Sequence, residues 1–406
     1  MKKKENVIVC QHGARRRYVM ARMIEELGLL KCLYIDSYSR SYLGRLALLL
    51  SPVINNQTLS RLAGRKVYGV PKNKVKSTDL PHLIEICQAI FKRKKLGLDL
   101  FLQRHALMSR RMKSWGVSKN DIVYSMYREN LDFIRWVKHK KAFLIVDVFI
   151  SPLTEIVMEK EYAIKPEWAP TNISSQKEKE KLASMWAEVV QHADILVCPS
   201  NWVAEGIRKV TPEACRKVKV VPYGCSIDFN DKINKPTYGR ILFVGGDALR
   251  KGLHYLAIAS VTLAEKYDFL EFRVVGINDK SVINDPICKN FKFLGKLNKK
   301  EIQEEYLKAD MFVLPSLSEG FAGVVAESIA AGCPVICTHE TGAPIVNGRE
   351  GLIIPSKSSV SITNAIDKFL IDRDFRNQCS INCINNREFY GEEHWKKRLK
   401  SVFDGI

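Results

Sequence analysis

Glu319 and Glu327 stand eight positions apart in the run Phe312-Val313-Leu314-Pro315-Ser316-Leu317-Ser318-Glu319-Gly320-Phe321-Ala322-Gly323-Val324-Val325-Ala326-Glu327-Ser328-Ile329-Ala330-Ala331-Gly332. An ionised carboxylate only accepts hydrogen bonds, so a pair of them suits a ligand rich in hydroxyl groups. The residues around the pair supply what such a ligand would need beside its hydroxyls. Small residues open a helix near Gly323, and a helix start offers unpaired amides, here those of Gly323 and Val324, to an anion. Gly320, Phe321 and Ala322 lead from Glu319 into that helix. A phosphate on the amides would then be flanked by one carboxylate before the helix and another about one turn inside it. On spacing alone the pair is an exposed helix residue and a loop residue near a cap. The enclosing strand, glycines and helix favour the ligand.

A second segment, Phe243-Val244-Gly245-Gly246-Asp247-Ala248-Leu249-Arg250-Lys251-Gly252, carries cations where the first carries anions. Gly245 and Gly246 let the backbone approach a ligand closely. Arg250 offers a bidentate fork and Lys251 a point charge, both suited to charge developing on a departing phosphate. Nearer the start, His12 and Gly13 follow the expected strand Val7–Cys10 and Asp147 follows Phe143–Val146. Strand ends are where open α/β sheets bind ligands, so His12 and Gly13 are candidates to approach one. A lone loop histidine is as often structural. Asp372-Arg373-Asp374 spells D-x-D but reads as a helix end, and the cysteine pairs 333/337 and 379/383 lack zinc spacing. Neither a metal nor a cofactor is expected, and a G-x-S-x-G elbow and a P-loop are absent.

These groups need strands and helices to hold them. Short apolar runs alternate with helical patterns, the signature of parallel α/β architecture. The runs are Val7–Cys10, Lys31–Ile35, Ile122–Ser125, Phe143–Val146, Ile195–Cys198, Val218–Val221, Arg240–Val244, Glu271–Val275, Phe291–Leu294, Met311–Leu314 and Val335–Cys337. Eleven strands fit two doubly wound sheets better than one. A boundary is expected near Asp228–Thr237, giving an N-terminal domain over 1–230 and a second over 231–387.

The chain has 406 residues, 46% hydrophobic and 27% charged, the balance of a packed two-domain protein rather than a disordered one. Its net charge is +20, and residues 1–141 alone carry 30 Lys/Arg against 10 Asp/Glu. This N-terminal third therefore holds the whole excess, which asks for an anionic partner or is a solvated basic surface. Arg15-Arg16-Arg17, Arg45, Lys92-Arg93-Lys94-Lys95 and Arg110-Arg111 are suited to anionic lipid, with Leu46–Leu50 as an apolar contact. Eleven scattered cysteines, an odd number without C-x-x-C, suggest a reducing cytoplasm. No apolar stretch reaches the roughly 18 residues of a spanning helix.

The Glu319–Glu327 segment resembles the nucleotide-sugar signature of family-4 retaining glycosyltransferases (glycosyl transferases group 1). Pro199-Ser200-Asn201-Trp202-Val203-Ala204-Glu205-Gly206, Val221-Pro222-Tyr223-Gly224-Cys225-Ser226-Ile227-Asp228 and the Gly245–Gly252 loop resemble further parts of that family, over most of residues 195–360. The resemblance implies the GT-B fold: two Rossmann-like α/β domains facing across a cleft. It implies that Glu319 binds the donor sugar's hydroxyls, Glu327 the ribose, and Arg250 with Lys251 the diphosphate. Gly295-Lys296-Leu297 resembles the base-binding turn. An Arg often follows the first Gly in the family where Gly246 stands here, and a His often stands where Val146-Asp147 stand, so the resemblance implies Asp147 as a substitute candidate on the acceptor side beside His12 and Gly13. Phe389-Tyr390-Gly391-Glu392-Glu393-His394-Trp395-Lys396 resembles the family's closing helix, which implies that 388–406 completes the N-terminal domain.

The expected function is retaining transfer of a sugar from a nucleotide donor to an acceptor hydroxyl, without a metal. A polyprenyl-diphosphate-linked or polysaccharide acceptor in cell-envelope glycan synthesis fits the basic N-terminal third, as does a peripheral place on the inner face of the plasma membrane. The donor base is left open. A nucleotide-sugar epimerase or phosphorylase on the same plan is the enzyme alternative. A basic nucleic-acid-binding protein is the non-enzyme one, without a recognisable module for it.

Overall fold

The computed structural model describes residues 5–54, 57–84, 97–171, 173–225, 229 and 232–406. Its strands are β1 (Val7–Gln11), β2 (Leu30–Ile35), β3 (Val75–Ser77), β4 (Ile122–Met126), β5 (Phe143–Asp147), β6 (Ile195–Cys198), β7 (Val218–Val220), β8 (Arg240–Val244), β9 (Glu271–Val275), β10 (Phe291–Gly295), β11 (Met311–Leu314), β12 (Val335–Thr338) and β13 (Gly351–Ile354). All eleven expected strands form. Two more, β3 and β13, join the sheets at their edges.

One sheet has seven strands in the order β3-β2-β1-β4-β5-β6-β7, the other six in the order β10-β9-β8-β11-β12-β13. The strand pairs described run parallel, as in β1 with β2 and β4, and β8 with β9 and β11. Helices cover both faces of such sheets, which is why Val7, Ile8, Val9 and Cys10 are all fully buried and read as an unbroken apolar run. Strand order reverses at β1/β4 and at β8/β11. Crevices outside the carboxyl ends of the strands at those two points are the places this architecture offers to ligands.

The chain forms two compact units. The first comprises Met1–Val148, Asn172–Val197 and Glu213–Val218 and is built on the seven-stranded sheet. The second comprises Phe149–Thr171, Cys198–Pro212 and Lys219–Ile406 and is built on the six-stranded sheet. Ser226-Ile227-Asp228 and Asn230-Asp231, at the expected boundary, lie outside the described residues, as do Lys92-Arg93-Lys94-Lys95. Ten cysteines are described, and all are free thiols. Among the described residues no helix is long and apolar enough to cross a membrane.

Candidate functional site

In the second unit, Gly245 and Gly246 follow β8, and Pro315 to Ala322 follow β11, so both candidate loops leave the strands at the β8/β11 reversal. Close packing explains the glycines there. A Cβ on Gly245 would sit 2.0 Å from Lys251 Cδ, so its absence lets the lysine chain lie across the strand end. Gly252, with φ +68°, precedes the Leu253–Ala264 helix, and a Cβ there would meet the Pro315 carbonyl oxygen at 2.0 Å. The two loops are thereby held together, and the Leu317 amide donates to the Arg250 carbonyl.

That packing brings the predicted cations and the first carboxylate into one cluster. Arg250 Nη1 lies 2.7 Å from Glu319 Oε2, and Lys251 Nζ lies 2.8 Å from Glu319 Oε1. Arg250 also donates through Nε to Asp247 and through Nη1 to the Ser318 carbonyl. Burial opposes the charged form of Glu319, but Lys251 and Arg250 outweigh it and hold the carboxyl below its ordinary value. Burial likewise disfavours the charged Arg250, and Glu319 with Asp247 overcomes it, so this guanidinium is held above its usual range. With Asp247 also on Arg250, two cations and two carboxylates balance in this cluster.

The Gly323–Ala331 helix begins directly after this loop, with Ala322 at its cap and no side-chain hydrogen bond to its first turn. The space beside Gly323 is open. Its early amides therefore point to a place suited to an anion. Glu327 lies further along the same helix, where the Tyr306 hydroxyl donates to its Oε2 at 3.1 Å. Gly320 approaches the Phe149 carbonyl so closely that a Cβ would sit 1.7 Å from it. Phe321 is buried, its ring edge-on to Tyr223 at 5.8 Å. Lys296 is exposed and Leu297 half-buried beyond β10, the edge strand of this sheet.

The loop carrying Glu319 is gripped by residues that spacing alone did not single out for the task. Thr154 Oγ1 and Trp202 Nε1 both reach Ser318 Oγ, at 2.8 and 3.3 Å, and Ser200 Oγ donates to the Gly320 carbonyl at 2.6 Å. Ser200 also caps the Asn201–Val210 helix, an S/T-before-helix signal legible in the sequence. Thr154 carries no such signal.

In the first unit, His12 and Gly13 follow β1, and Glu129 follows β4, so they meet at the β1/β4 reversal. His12 Nε2 lies 2.9 Å from Glu129 Oε1. Glu129 is fully buried and also accepts from Ser125 Oγ and the Asn130 amide. Burial raises its carboxyl, but His12, then His105 and the Asn130 amide, prevail and hold it at about 2. Burial lowers His12 while Glu129 and Asp36 raise it, with a net upward shift. The His105 ring stacks on His12 with centroids 3.9 Å apart and 10° between planes, and burial beside His12 holds it down at about 3. Glu129 and His105 were not anticipated as partners of His12.

His12, His105 and Glu129 are also the one group of metal-ligand type among the described residues, with ligand atoms within 4.8 Å of one another. A ring nitrogen binds an ion in the plane of its own ring. Two near-parallel rings stacked at this distance cannot both do so for one ion, so the arrangement is that of a hydrogen-bonded ion pair. Gly13, with φ +72°, donates its amide to the buried Asp36 carboxylate. Asp147 is buried too, accepting from the Tyr124 hydroxyl at 3.1 Å.

Residues 227–385 match the family described as Glycosyl transferases group 1. The D-inositol 3-phosphate glycosyltransferase of Corynebacterium urealyticum is 22% identical over 319 residues, 70% of this chain and 72% of that protein. Among solved structures, sucrose-phosphate synthase of Thermosynechococcus elongatus superposes with a TM-score of 0.65 at 15% identity, covering 99% of each chain. HepE of Anabaena, in its complex with UDP, gives a TM-score of 0.63 at 12% identity, covering 99% of this chain and 100% of its own.

Proposed function

Since the chain belongs to the group 1, family-4 glycosyltransferases, retaining enzymes of GT-B fold, we propose that its six-stranded unit binds the nucleotide-sugar donor through the cluster of Arg250, Lys251 and Glu319. The observation that carries this reading is the Glu319 carboxylate between those two cations, beside an uncapped helix start at the β8/β11 reversal. Arg250 and Lys251 take the diphosphate with the amides of Gly323 and Val324, while Gly245, Gly246 and the Gly320–Ala322 loop border it. Glu319 accepts hydroxyls of the transferring sugar, Glu327 those of the ribose, and the Lys296-Leu297 turn meets the base.

The reaction is a same-face displacement. The leaving phosphate oxygen receives the proton of the acceptor hydroxyl as the new bond forms, so no protein nucleophile and no metal is required. The protein's part is orientation and charge: two cations and helix amides facing the growing negative charge of the leaving diphosphate. Glu319 is matched to the sugar by being acceptor-only and already ionised. HepE was solved with UDP, and we take a UDP-sugar as the first donor to try.

Donor contacts fall to the six-stranded unit, which includes 388–406, and acceptor-side contacts to the seven-stranded one. His12, Gly13 and Asp147 are the acceptor-side candidates. The excess of cations in residues 1–141 supports an acceptor bearing phosphate, such as a polyprenyl-diphosphate-linked saccharide in cell-envelope glycan synthesis, reached at the cytoplasmic membrane face. Thermal shift against UDP, GDP and ADP sugars, followed by mass-spectrometric assay of transfer to lipid-linked acceptors, tests the proposal. One donor should raise the melting midpoint and yield a retained-anomer product. No shift and no transfer across the panel would sink it.

A further inference from the structure

The helix Tyr42–Leu50 in the first unit has two apolar faces. One is explained by packing: Ala47 is buried against Leu62 and Ala63, with Leu43 and Leu59 closing the cluster. Gly44 lies so near the Tyr38 carbonyl that a Cβ would sit 1.8 Å from its oxygen. The other face points into solvent. Tyr42 is 89% exposed, Leu46 49%, Leu49 74% and, just beyond the helix, Val53 85%. The spacings of four, three and four residues put these side chains in one stripe. A row of large apolar groups facing water, on a helix already docked by its other side, marks a contact surface.

Next to the stripe is a cavity of about 530 Å³ lined by Arg40, Arg45 and Arg111, with Tyr42 and Trp115 on its walls. Ser77 and Thr78 at the end of β3 add hydroxyls. The one carboxylate of the lining, Asp79, is occupied, accepting from Ser41 Oγ at 2.6 Å and from the Leu43 amide. Three guanidinium groups around a space with hydroxyl donors present the chemistry that binds a phosphate ester. Tyr42 belongs to both features, so an anion in the cavity and an apolar chain along the stripe can be parts of one molecule.

We propose that this cavity is a subsite for the phosphate head group of a membrane lipid, with Tyr42, Leu46, Leu49 and Val53 entering the bilayer beside it. The occupant follows from charge complementarity and from the joined apolar stripe. It deepens the membrane-acceptor reading above and rests on that reading only for the claim that the bound lipid is substrate. Binding is by a particular pocket rather than by the diffuse field of a basic domain.

Vesicle flotation of the full chain tests this, using phosphatidylcholine alone and with about 30% phosphatidylglycerol. The pair Arg40→Ala/Arg111→Ala removes cavity charges, and Arg61→Ala/Arg110→Ala removes equal charge from nearby exposed positions outside the cavity. The cavity pair should lower partition onto anionic vesicles at least about tenfold further than the control pair, whose own loss measures the diffuse attraction of two basic residues. Leu46→Ser/Leu49→Ser should lower it too, with an unchanged melting midpoint. Equal losses in the two arginine pairs, or equal recovery of the natural sequence on neutral and anionic vesicles, would overturn the proposal. UDP binding by titration, run on the same proteins, keeps the two readings apart. Loss of UDP binding by the natural sequence would count against donor use and leave the flotation result standing.

Discussion

The ion pairs of Glu319 change what its removal should do. The carboxylate is paired with both cations that a diphosphate would use, so in the unliganded protein it competes with the phosphate. Glu319→Ala should leave nucleoside diphosphate affinity unchanged or tighter, and lower turnover at least tenfold, by about 1.4 kcal/mol or more, because its partner is the sugar that moves. Glu327→Ala should weaken diphosphate binding instead, by about 1.5–3 kcal/mol for a charge-assisted hydrogen bond. Titration calorimetry with initial rates separates the two, and the reverse pattern would end this assignment of the carboxylates. In the first unit, Glu129→Gln should drop the His12 pKa, read by imidazole NMR titration. The stability effect has a defined pH window. Glu129 lies below its ordinary value, so its contribution is present above about 4.5 and fades as pH falls toward 2. His12 lies above its ordinary value, so its contribution is full below about 6.5 and fades as pH rises through its folded pKa. The melting gap between the natural protein and the variant should be widest near pH 5 to 6 and narrow at pH 9. A gap independent of pH would mean the pair does not ionise as described.

At the scale of elements, the loop after β11 is held by backbone approach as much as by side chains. Gly320→Ala would drive a methyl into the Phe149 carbonyl at 1.7 Å, and rigid backbone has no easy way to yield. Overpacking of this kind costs about 1–3 kcal/mol, so the variant should melt several degrees lower and bind donor more weakly. Unchanged melting and binding would show that the loop relaxes freely. The strands that hold these loops were legible because buried parallel strands read as short apolar runs. β3 was not, since Val75-Lys76-Ser77 is a half-buried edge strand of three residues without such a run. β13 was missed for a different reason: Gly351 and Pro355 frame Leu352-Ile353-Ile354 so tightly that the segment reads as a turn. The clustering of Arg250, Lys251 and Glu319 was legible only as three candidates, because their meeting depends on how two loops distant in sequence leave neighbouring strands. Glu129 and Thr154 were hidden for the same reason. Neither stands in a motif, and each acquires its role from tertiary pairing alone.

At the scale of the whole molecule, the final helix ties together parts of the chain far apart in sequence. Glu392–Asp404 returns to the segment before the six-stranded sheet: Trp395, 2% exposed, lies 5.2 Å from the Tyr223 ring, and Arg398 Nε donates to the Pro222 carbonyl at 3.1 Å. The Cys225 amide donates to the Tyr390 carbonyl just ahead of the helix. Tyr223 in turn meets Phe321, in the loop beside Glu319. A contact chain therefore runs from the C-terminus to the candidate donor loop through three aromatic rings. Burying Trp395 and Leu399 contributes about 1.5–3 kcal/mol each, and their joint loss exposes Tyr223 as well. Deleting residues 388–406 should lower the melting midpoint by at least about 5 °C and reduce donor affinity, while Trp395→Ala should give a smaller shift in the same direction. Scanning calorimetry with and without UDP measures both. A truncated chain that melted and bound UDP like the full one would show that the helix merely rests on the surface, and the aromatic path to Phe321 would carry no support to the site.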